Sequence, residues 1–268
     1  MDTLFLSPLE ISRALSRIGV KKATATIFEQ LIFGVLAGIY IAFGCNAATA
    51  ILSGGTLDPG LAIFLAGSVF SVGLMLVLIP GSELFTGNIL MTIGFIYRKY
   101  RFIKVLRNWL VVYFGNLVGA LIIVWLVFGT GLLGQVGNLT PAGEVAVRIA
   151  EKKLHLGFAE ALCRGILCNM LVCLAVIMCI ASKSLIGKIF GIYFPIMAFV
   201  VSGYEHSVAN MYFIPAGLVL KGQFASGFFS MFNNLIPVTI GNIIGGLLIV
   251  LLHPKVEERI GRLLMGRG

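Results

Sequence analysis

Apolar stretches separated by short polar segments run through almost the whole chain. Six of them hold the roughly 20 apolar residues that a helix needs to cross the hydrocarbon core of a bilayer. They cover residues 27–53, 61–97, 106–133, 154–181, 189–218 and 227–252. The second and fifth stretches contain interior glycine and proline, which indicates helices broken inside the membrane. The pattern therefore predicts an all-α polytopic membrane protein with six transmembrane helices, of which helices 2 and 5 are broken.

Short motifs recur in the two halves of the chain. Residues 81–88 and 203–210 share the frame Gly-x-Glu-x-x-x-x-Asn, 122 positions apart, at the two predicted breaks. A second frame, Gly-Asn-x-x-Gly, occurs at residues 115–119 and 241–245. Glycines four residues apart in a membrane helix are typical of close helix packing, so we interpret this second frame as structural.

These recurrences indicate an internal duplication. Gly34 also matches Gly157, at a similar shift of 123. Because each half makes three passages, the two halves enter the membrane with opposite orientation, as the inverted repeats of transporters do. We therefore expect one transmembrane domain over residues 1–268, made of inverted three-helix repeats at about 27–133 and 154–252.

Composition and the placement of charge agree with a membrane domain. Hydrophobic residues make up 59% of the chain and charged residues only 12%, too few to cover a water-soluble domain of this length. With the N-terminus inside, 15 of the 20 Lys and Arg residues fall in predicted cytoplasmic segments and four in outer loops. The positive-inside rule explains the net charge of +9 without nucleic acid as a partner, and it places both termini in the cytoplasm.

Each predicted break carries one glutamate. Ser202 and Glu205 have the spacing of a capping box, in which the two side chains bind free N–H groups at the start of a helix. Glu83 follows Pro80 and Gly81, where the dipole of a new helix favours a carboxylate. A carboxylate beside the pathway would also repel an anionic solute. We therefore interpret Glu83 and Glu205 as caps of two half-helices.

His206 is the histidine that the pattern places deep in the membrane, on the second break. Ionisable residues in lipid are rare and usually functional, and imidazole changes charge near neutral pH. Thr86, near the first break, could bond His206 across a pseudo-twofold axis or bond back to its own helix, and its position alone favours neither. His155, His206 and His253 are too scattered for a haem or metal site. We therefore expect that the protein binds no metal or cofactor and is not an enzyme.

Basic and large apolar side chains flank the predicted breaks. Lys22 and Lys153 precede membrane segments, where lysines usually anchor a helix but can also attract anions. Large apolar residues in membrane helices usually pack or face lipid, yet beside a break they would form hydrophobic constrictions that exclude hydrated ions. The candidates of this kind are Phe70, Leu74, Phe85 and Phe199.

Three blocks of the sequence resemble the formate/nitrite transporter family. They are GSELFTG at 81–87, GILCNMLVCLA at 165–175 and SGYEHSVANM at 202–211, in the family's order and spacing. The resemblance covers essentially the whole chain. It implies an aquaporin-like protomer in a homopentamer, with one pore per protomer. The variants around residues 168–170 and 203–206 resemble the nitrite and hydrosulfide branches more than the formate branch.

The same resemblance implies roles for individual polar residues. His206 matches the central histidine of the family, and Thr86 matches its threonine partner. Lys153 is similar to the lysine of the outer vestibule, and Lys22 to the basic residue of the N-terminal helix. Asn169 is similar to the asparagine of the helix 4 motif, so we expect it near the pore.

The resemblance also implies two hydrophobic constrictions. Leu74 and Phe199 match the inner constriction of the family. Phe70 and Phe85 match the outer one, and Leu84 precedes that phenylalanine in the same motif. A bare anion would be costly in such an apolar passage, whereas its neutral acid would not.

These observations predict a membrane channel or transporter for small monovalent anions of weak acids: formate, nitrite or hydrosulfide. Basic groups would collect the anion, and His206 with Thr86 could donate a hydrogen bond or proton at the narrowest point. The alternative is an aquaporin-like channel for small neutral solutes, although the chain has no Asn-Pro-Ala motif. We expect the protein in the cytoplasmic membrane of a bacterium or archaeon, with the lipid bilayer and further copies of itself as partners.

Overall fold

The computed structural model describes residues 4–253 and residue 256, and these residues are mainly helical. The helices are α1 (Pro8–Thr24), α2 (Ile27–Leu52), α3 (Pro59–Leu78), α4 (Phe85–Asn88), α5 (Thr92–Ile96), α6 (Phe102–Gly129), α7 (Pro141–Leu154), α8 (Phe158–Ala181), α9 (Leu185–Val201), α10 (Ser207–Leu220), α11 (Phe224–Gly227) and α12 (Met231–Leu251). Two 3₁₀ turns occur at Ile89–Met91 and Phe228–Ser230. A two-stranded antiparallel hairpin pairs β1 (Gly134–Gln135) with β2 (Asn138–Leu139).

Five helical runs among the described residues are long and apolar enough to cross a membrane. They are α2, α3, α6, α8 and the run Phe224–Leu251, which joins α11, the second 3₁₀ turn and α12. The fifth predicted stretch appears as two shorter apolar helices, α9 and α10. A sixth crossing would need α9 and α10 together, so the arrangement of six helices stays a prediction.

The chain leaves helical structure where the glycine motifs predicted it. Between α3 and α4 it is non-helical over residues 79–84, which we call the first break, and Gly81 there has φ of +96°. Between α9 and α10 it is non-helical over residues 202–206, the second break, where Gly203 has φ of +69°. Residues with a Cβ rarely adopt these angles, so glycine permits both turns.

Glycines bring the backbones of paired helices into contact. A Cβ on Gly38 of α2 would lie 2.1 Å from the backbone oxygen of Asn116 in α6, and one on Gly245 of α12 would lie 2.1 Å from that of Ile166 in α8. Real Cβ atoms do not approach oxygen so closely, which means that only glycine fits. The packing role predicted for the Gly-Asn-x-x-Gly frames is therefore confirmed.

The contacts of Gly34 correct one of the sequence matches. Gly34 packs against the backbone of α6, where an added Cβ would lie 3.1 Å from the nearest backbone oxygen. Gly165 packs against the backbone of α12 in the same way, with a corresponding distance of 2.7 Å. Gly157 instead precedes α8, and a Cβ added to it would meet no atom within 4 Å. The counterpart of Gly34 is therefore Gly165, 131 positions later in the chain. The match to Gly157 was wrong because it rested on residue identity alone, whereas the helix contacts of the two glycines differ.

The helix α7 is an element that the hydropathy pattern did not predict. The Thr140 hydroxyl accepts the Gly143 N–H, and Pro141 occupies the first turn, where its missing N–H costs nothing. This start resembles that of α1, where Ser7 and Glu10 form a capping box. Hydrogen bonds from Ser7 lower the pKa of Glu10. Both helices are amphipathic and short, and each ends in two lysines.

We predict that Gly119→Ala destabilises the protein and that Gly129→Ala does not. Both glycines lie in α6, but a Cβ on Gly119 would lie 2.0 Å from the Val35 backbone oxygen, whereas one on Gly129 meets nothing within 4 Å. Overpacking of this kind costs about 1–3 kcal/mol. The melting temperature in mild detergent should fall for the first variant only, and equal melting of the two would show that α2 and α6 can separate freely.

Candidate functional site

Two cavities approach the interior of the protein beside the two breaks. The Lys22 cavity, of about 470 Å³, is lined by Lys22, Glu83, Leu84 and Asn88, among other residues. The Lys153 cavity, of about 190 Å³, has a different lining that includes Lys153, Glu205 and His206. A water molecule takes up about 30 Å³ in the liquid, so both cavities are large enough for several. No described residue lines both cavities.

Each break glutamate forms an ion pair with a lysine from an amphipathic helix. Lys22 in the last turn of α1 lies 2.9 Å from Glu83 Oε1. Lys153 in the last turn of α7 lies 2.9 and 3.0 Å from the two carboxylate oxygens of Glu205. The two lysines are 131 positions apart, the same shift that relates Gly34 to Gly165. The contacts therefore place α1 and α7 in corresponding positions.

An asparagine completes each ion pair in the same way. Asn88 Nδ2 donates to Glu83 Oε2 at 2.6 Å, and Asn210 Nδ2 donates to Glu205 Oε2 at 2.6 Å. Asn88 Oδ1 also accepts from the Lys22 ammonium group at 2.7 Å. These two asparagines are the last residues of the Gly-x-Glu-x-x-x-x-Asn frames. Each frame therefore supplies the glutamate and asparagine that surround a lysine, as well as the glycine of the turn.

The prediction that Glu83 and Glu205 cap the half-helices was wrong. The N-cap of α10 is His206, whose Nδ1 accepts the Ala209 N–H at 3.2 Å, and Ser202 closes α9 instead. The N-cap of α4 is Leu84, which makes no side-chain cap bond. The capping-box spacing misled because the chain turns at Gly203, so the new helix begins after Glu205 rather than before it.

Two asparagines from the neighbouring helices take the role that we assigned to the glutamates. Asn116 Oδ1 accepts the N–H of Phe85 at 3.0 Å, and Asn242 Oδ1 accepts the N–H of Ser207 at 2.9 Å. The Nδ2 of Asn116 donates to the backbone oxygens of Gly34 and Glu83 at 2.8 and 2.9 Å.

The amide of Asn242 completes the second arrangement by donating to Gly165 and Glu205 at 2.8 and 3.0 Å. Sequence analysis did not identify Asn116 and Asn242 as site residues. Their signal was present in the Gly-Asn-x-x-Gly frames, which we assigned to glycine packing alone.

The side chains of Thr86 and His206 meet at the centre of the structure. Thr86 Oγ1 lies 2.8 Å from His206 Nε2, and the two residues are 0% and 3% exposed. Because His206 Nδ1 accepts the Ala209 N–H, the neutral ring carries its proton on Nε2 and donates it to Thr86 Oγ1. The Thr86 hydroxyl proton then remains available to a third group. The Phe199 ring stacks on the imidazole, with centroids 6.0 Å apart.

Asn169 holds the backbone at Thr86. Its Nδ2 donates to the backbone oxygens of Thr86 and Asn242 at 3.2 and 2.6 Å. Cys173 Sγ also contacts the Thr86 oxygen, at 3.7 Å. Asn169 Oδ1 is buried and has no hydrogen-bond partner among the described residues. Asn169 therefore lies beside the central pair, as expected, and contacts its backbone rather than its hydroxyl.

The structure regroups the predicted constriction residues. Phe70 and Phe199 contact each other edge to face, with ring centroids 5.4 Å apart, and both line the Lys153 cavity. Phe199 therefore contacts Phe70, and its predicted grouping with Leu74 in an inner constriction stays a prediction. Leu74 is buried in the same apolar cluster and lines neither cavity, whereas Leu84 lines the Lys22 cavity.

The ring of Phe85 is not at either cavity. It packs edge to face against Trp109 and Tyr113 of α6, with centroids 6.2 and 4.9 Å away. The backbone N–H of Phe85 also bonds Asn116 of that helix. Its place with Phe70 in an outer constriction stays a prediction.

The two lysines expected to attract anions are already paired with carboxylates. The side chain of Lys153 is only 13% exposed, and its ammonium group also lies 5.3 Å from the Phe213 ring centroid. The side chain of Lys22 is 18% exposed. Within the described part of the chain, no group of three His, Cys, Asp or Glu residues is arranged to hold a metal ion.

The sequence profile of the formate/nitrite transporter family matches residues 9–255 of this chain. The chain belongs to the formate/nitrite transporter family. It is 45% identical to a probable formate transporter from Methanothermobacter thermautotrophicus, over 93% of this chain and 96% of that protein. It is 36% identical to the formate channel FocA of Escherichia coli (strain K12), over 91% of this chain and 92% of that protein.

Solved structures give the same result for the fold. A pentameric formate channel with formate bound superposes with a TM-score of 0.72 at 35% identity, over 84% of this chain and 94% of that chain. An FNT family ion channel superposes with a TM-score of 0.77 at 29% identity, over 91% and 95%. With the apolar spans, these similarities make the chain a multi-pass membrane protein.

We predict that the Lys153–Glu205 pair stabilises the fold as a unit. Lys153→Gln or Glu205→Gln alone should cost about 3–5 kcal/mol, because each leaves a charge uncompensated in a buried site. The double variant should recover part of this loss in a thermal melt. Lys221→Gln is the matched control, since Lys221 pairs with Glu151 at the surface and such pairs contribute at most about 1 kcal/mol. Additive losses in the double variant would mean that the two charges are not coupled.

Proposed function

We propose that the protein is a membrane channel for small monovalent anions of weak acids, with formate as the first candidate substrate. The observation that carries the proposal is the buried Thr86–His206 pair, because His206 lines the Lys153 cavity and Thr86 lies next in the chain to Gly87 of the Lys22 cavity. The names of the relatives, a probable formate transporter and formate channels, favour formate over nitrite and hydrosulfide. The proposal therefore moves away from the nitrite and hydrosulfide branches that short motifs had favoured.

A weak acid suits the apolar centre better than a permanently charged anion does. Phe70 and Phe199 line the Lys153 cavity and belong with Leu74 to one buried apolar cluster, where an unpaired charge is costly. The anion of a weak acid can take a proton from water in one cavity and return it to water in the other. It then crosses the centre as the neutral acid, and no net charge enters the apolar passage. Chloride, the anion of a strong acid, has no such route.

His206 and Thr86 supply a polar contact for the solute along this passage. The imidazole N–H orients the Thr86 hydroxyl, whose own proton can be donated to an oxygen of the solute. Protonation of His206 at Nδ1 would displace the Ala209 N–H and remove the cap of α10. We therefore assign His206 the role of a neutral donor that positions Thr86, and assign the transferred proton to cavity water.

The arrangement in the membrane belongs to the same proposal. The repeated bonds around Asn116 and Asn242 support two inverted repeats. Since Lys22 and Lys153 correspond, we move the start of each repeat from 27 and 154 to the first residues of α1 and α7. We place both termini and the Lys22 cavity on the cytoplasmic side of a bacterial or archaeal inner membrane. The basic residues predicted on that side near the C-terminus, Lys255, Arg259, Arg262 and Arg267, lie outside the described residues.

We also propose a homopentamer with a pathway in each protomer. The support is a similar solved structure, which is described as pentameric. The mass of the purified protein in mild detergent, measured by light scattering, should equal five chains plus bound detergent. A monomer active in reconstituted membranes would contradict this assembly.

Flux into proteoliposomes tests the proposed substrate class directly. We predict that formate, nitrite and hydrosulfide enter faster than chloride and glycerol, because these three are anions of weak acids and protonation converts each to a small neutral molecule. Formate uptake should also rise as pH falls, since the neutral acid becomes more abundant. Vesicles without protein measure leakage of the neutral acids. Rapid glycerol entry without anion entry would instead support the aquaporin-like alternative.

Two substitutions at Thr86 test the central donor. Thr86→Val keeps the shape of the side chain and removes the hydroxyl, so formate flux should fall by about tenfold or more for a lost hydrogen bond near 1.5 kcal/mol. Thr86→Ser keeps the hydroxyl and should retain most of the flux. The melting temperatures of both variants should be compared with that of the unmodified chain. Equal flux in folded Val and Ser variants would show that the hydroxyl does not contact the solute.

A further inference from the structure

The two cavities differ at one pair of corresponding positions. Phe33 and Arg164 are 131 residues apart, and the backbone oxygen of each accepts the N–H of a break glutamate, at 3.1 Å for Glu83 and 3.3 Å for Glu205. The Phe33 side chain belongs to the lining of the Lys22 cavity, and Arg164 belongs to that of the Lys153 cavity. At these two equivalent backbone positions, the side chain is an aromatic ring at the Lys22 cavity and a guanidinium group at the Lys153 cavity.

Arg164 is more available to an entering anion than Lys153 is. The Lys153 ammonium group binds both oxygens of Glu205, a carboxylate that is only 6% exposed. The Arg164 side chain is 30% exposed and donates through Nη1 to the Gly203 oxygen at 3.2 Å. Its Nη2 bonds Glu160, whose side chain is 50% exposed.

The ion pair between Arg164 and Glu160 is weak enough for a competing anion to displace Glu160 from the guanidinium group. Exposed pairs four residues apart on a helix contribute little to stability, because water solvates both partners well. A guanidinium group carries five N–H donors in one plane, so donors remain beside those used by Gly203 and Glu160. Glu160 itself shows that a carboxylate fits this guanidinium group.

We propose that Arg164 is the anion-recognition residue at the entrance of the Lys153 cavity, where a planar two-oxygen anion takes the place of Glu160. The inference rests on the proposed function and names the residue that selects among its substrates. Formate and nitrite present two oxygens that match the guanidinium fork, whereas hydrosulfide presents one acceptor atom and experiences the charge alone. Arg164 thereby favours formate and nitrite before the solute reaches His206 and Thr86.

Initial uptake rates test this in vesicles whose Lys153 cavity faces the outside. Arg164→Lys keeps the charge and loses the fork, so the half-saturation concentration for formate should rise roughly threefold to fivefold, the scale of an exposed charged contact. The value for hydrosulfide should change by less than about twofold. Glu160→Gln should lower the value for formate, because the competing carboxylate is gone. Lys221→Gln, which removes a charge of the same sign that lines neither cavity, should leave both values unchanged.

The result that overturns the inference is equally specific. If Arg164→Lys changes formate and hydrosulfide equally, or if Glu160→Gln leaves or raises the value for formate, Arg164 only braces the second break through Gly203. Glu160→Gln keeps that brace, so it decides the matter even if the Arg164 variant fails to fold. Failure of the unmodified chain to pass formate would overturn the proposed function itself.

Discussion

A helix that stops inside a membrane must find partners for its terminal backbone groups, because lipid supplies none. In this protein two asparagines from neighbouring helices meet that demand at two places. Asn116 and Asn242 each accept one N–H from the start of a half-helix and donate to two backbone oxygens, one of them from the break glutamate. Without these six hydrogen bonds, the breaks would expose unpaired peptide groups in an apolar interior.

The rest of the site follows from that arrangement. Since asparagines satisfy the backbone, the carboxylates of Glu83 and Glu205 are free to bind lysines, which in turn fix the ends of α1 and α7. Since the second break ends at His206, its imidazole caps α10 and still reaches Thr86. Backbone satisfaction, electrostatic pairing and the central donor pair are therefore linked, and a change in one is transmitted to the others.

The sequence predicted the helical class, the two breaks and the pairing of His206 with Thr86 as one of two options. Glycine, proline and the apolar period report local backbone behaviour, so these features could be found without coordinates. The partners of Glu83 and Glu205 could not, because Lys22 and Lys153 are 61 and 52 positions away and only tertiary packing brings them close. A capping box was the local interpretation, and long-range ion pairs replaced it.

The helix α7 and the ring contacts of Phe85 show the same limit. A short amphipathic helix gives no transmembrane signal. Thr140, which begins the helix, is also common in loops, so its capping role did not stand out in the sequence. Phe85 was assigned from a matching motif, whereas its ring packs against Trp109 and Tyr113 of α6, which the motif does not report. Motif position locates a residue along the chain more reliably than it locates the ring in space.

The close glycine contacts between α2 and α6, and between α8 and α12, also bear on how the pathway opens. Backbones in van der Waals contact move together, since densely packed interiors resist compression and shear. Each pair therefore behaves as one rigid body, and widening by separation of its two helices would break many contacts at once. Movement of the single rings of Phe70 and Phe199, which line the Lys153 cavity, needs no such collective step, so these rings can move while the helix pairs keep their contacts.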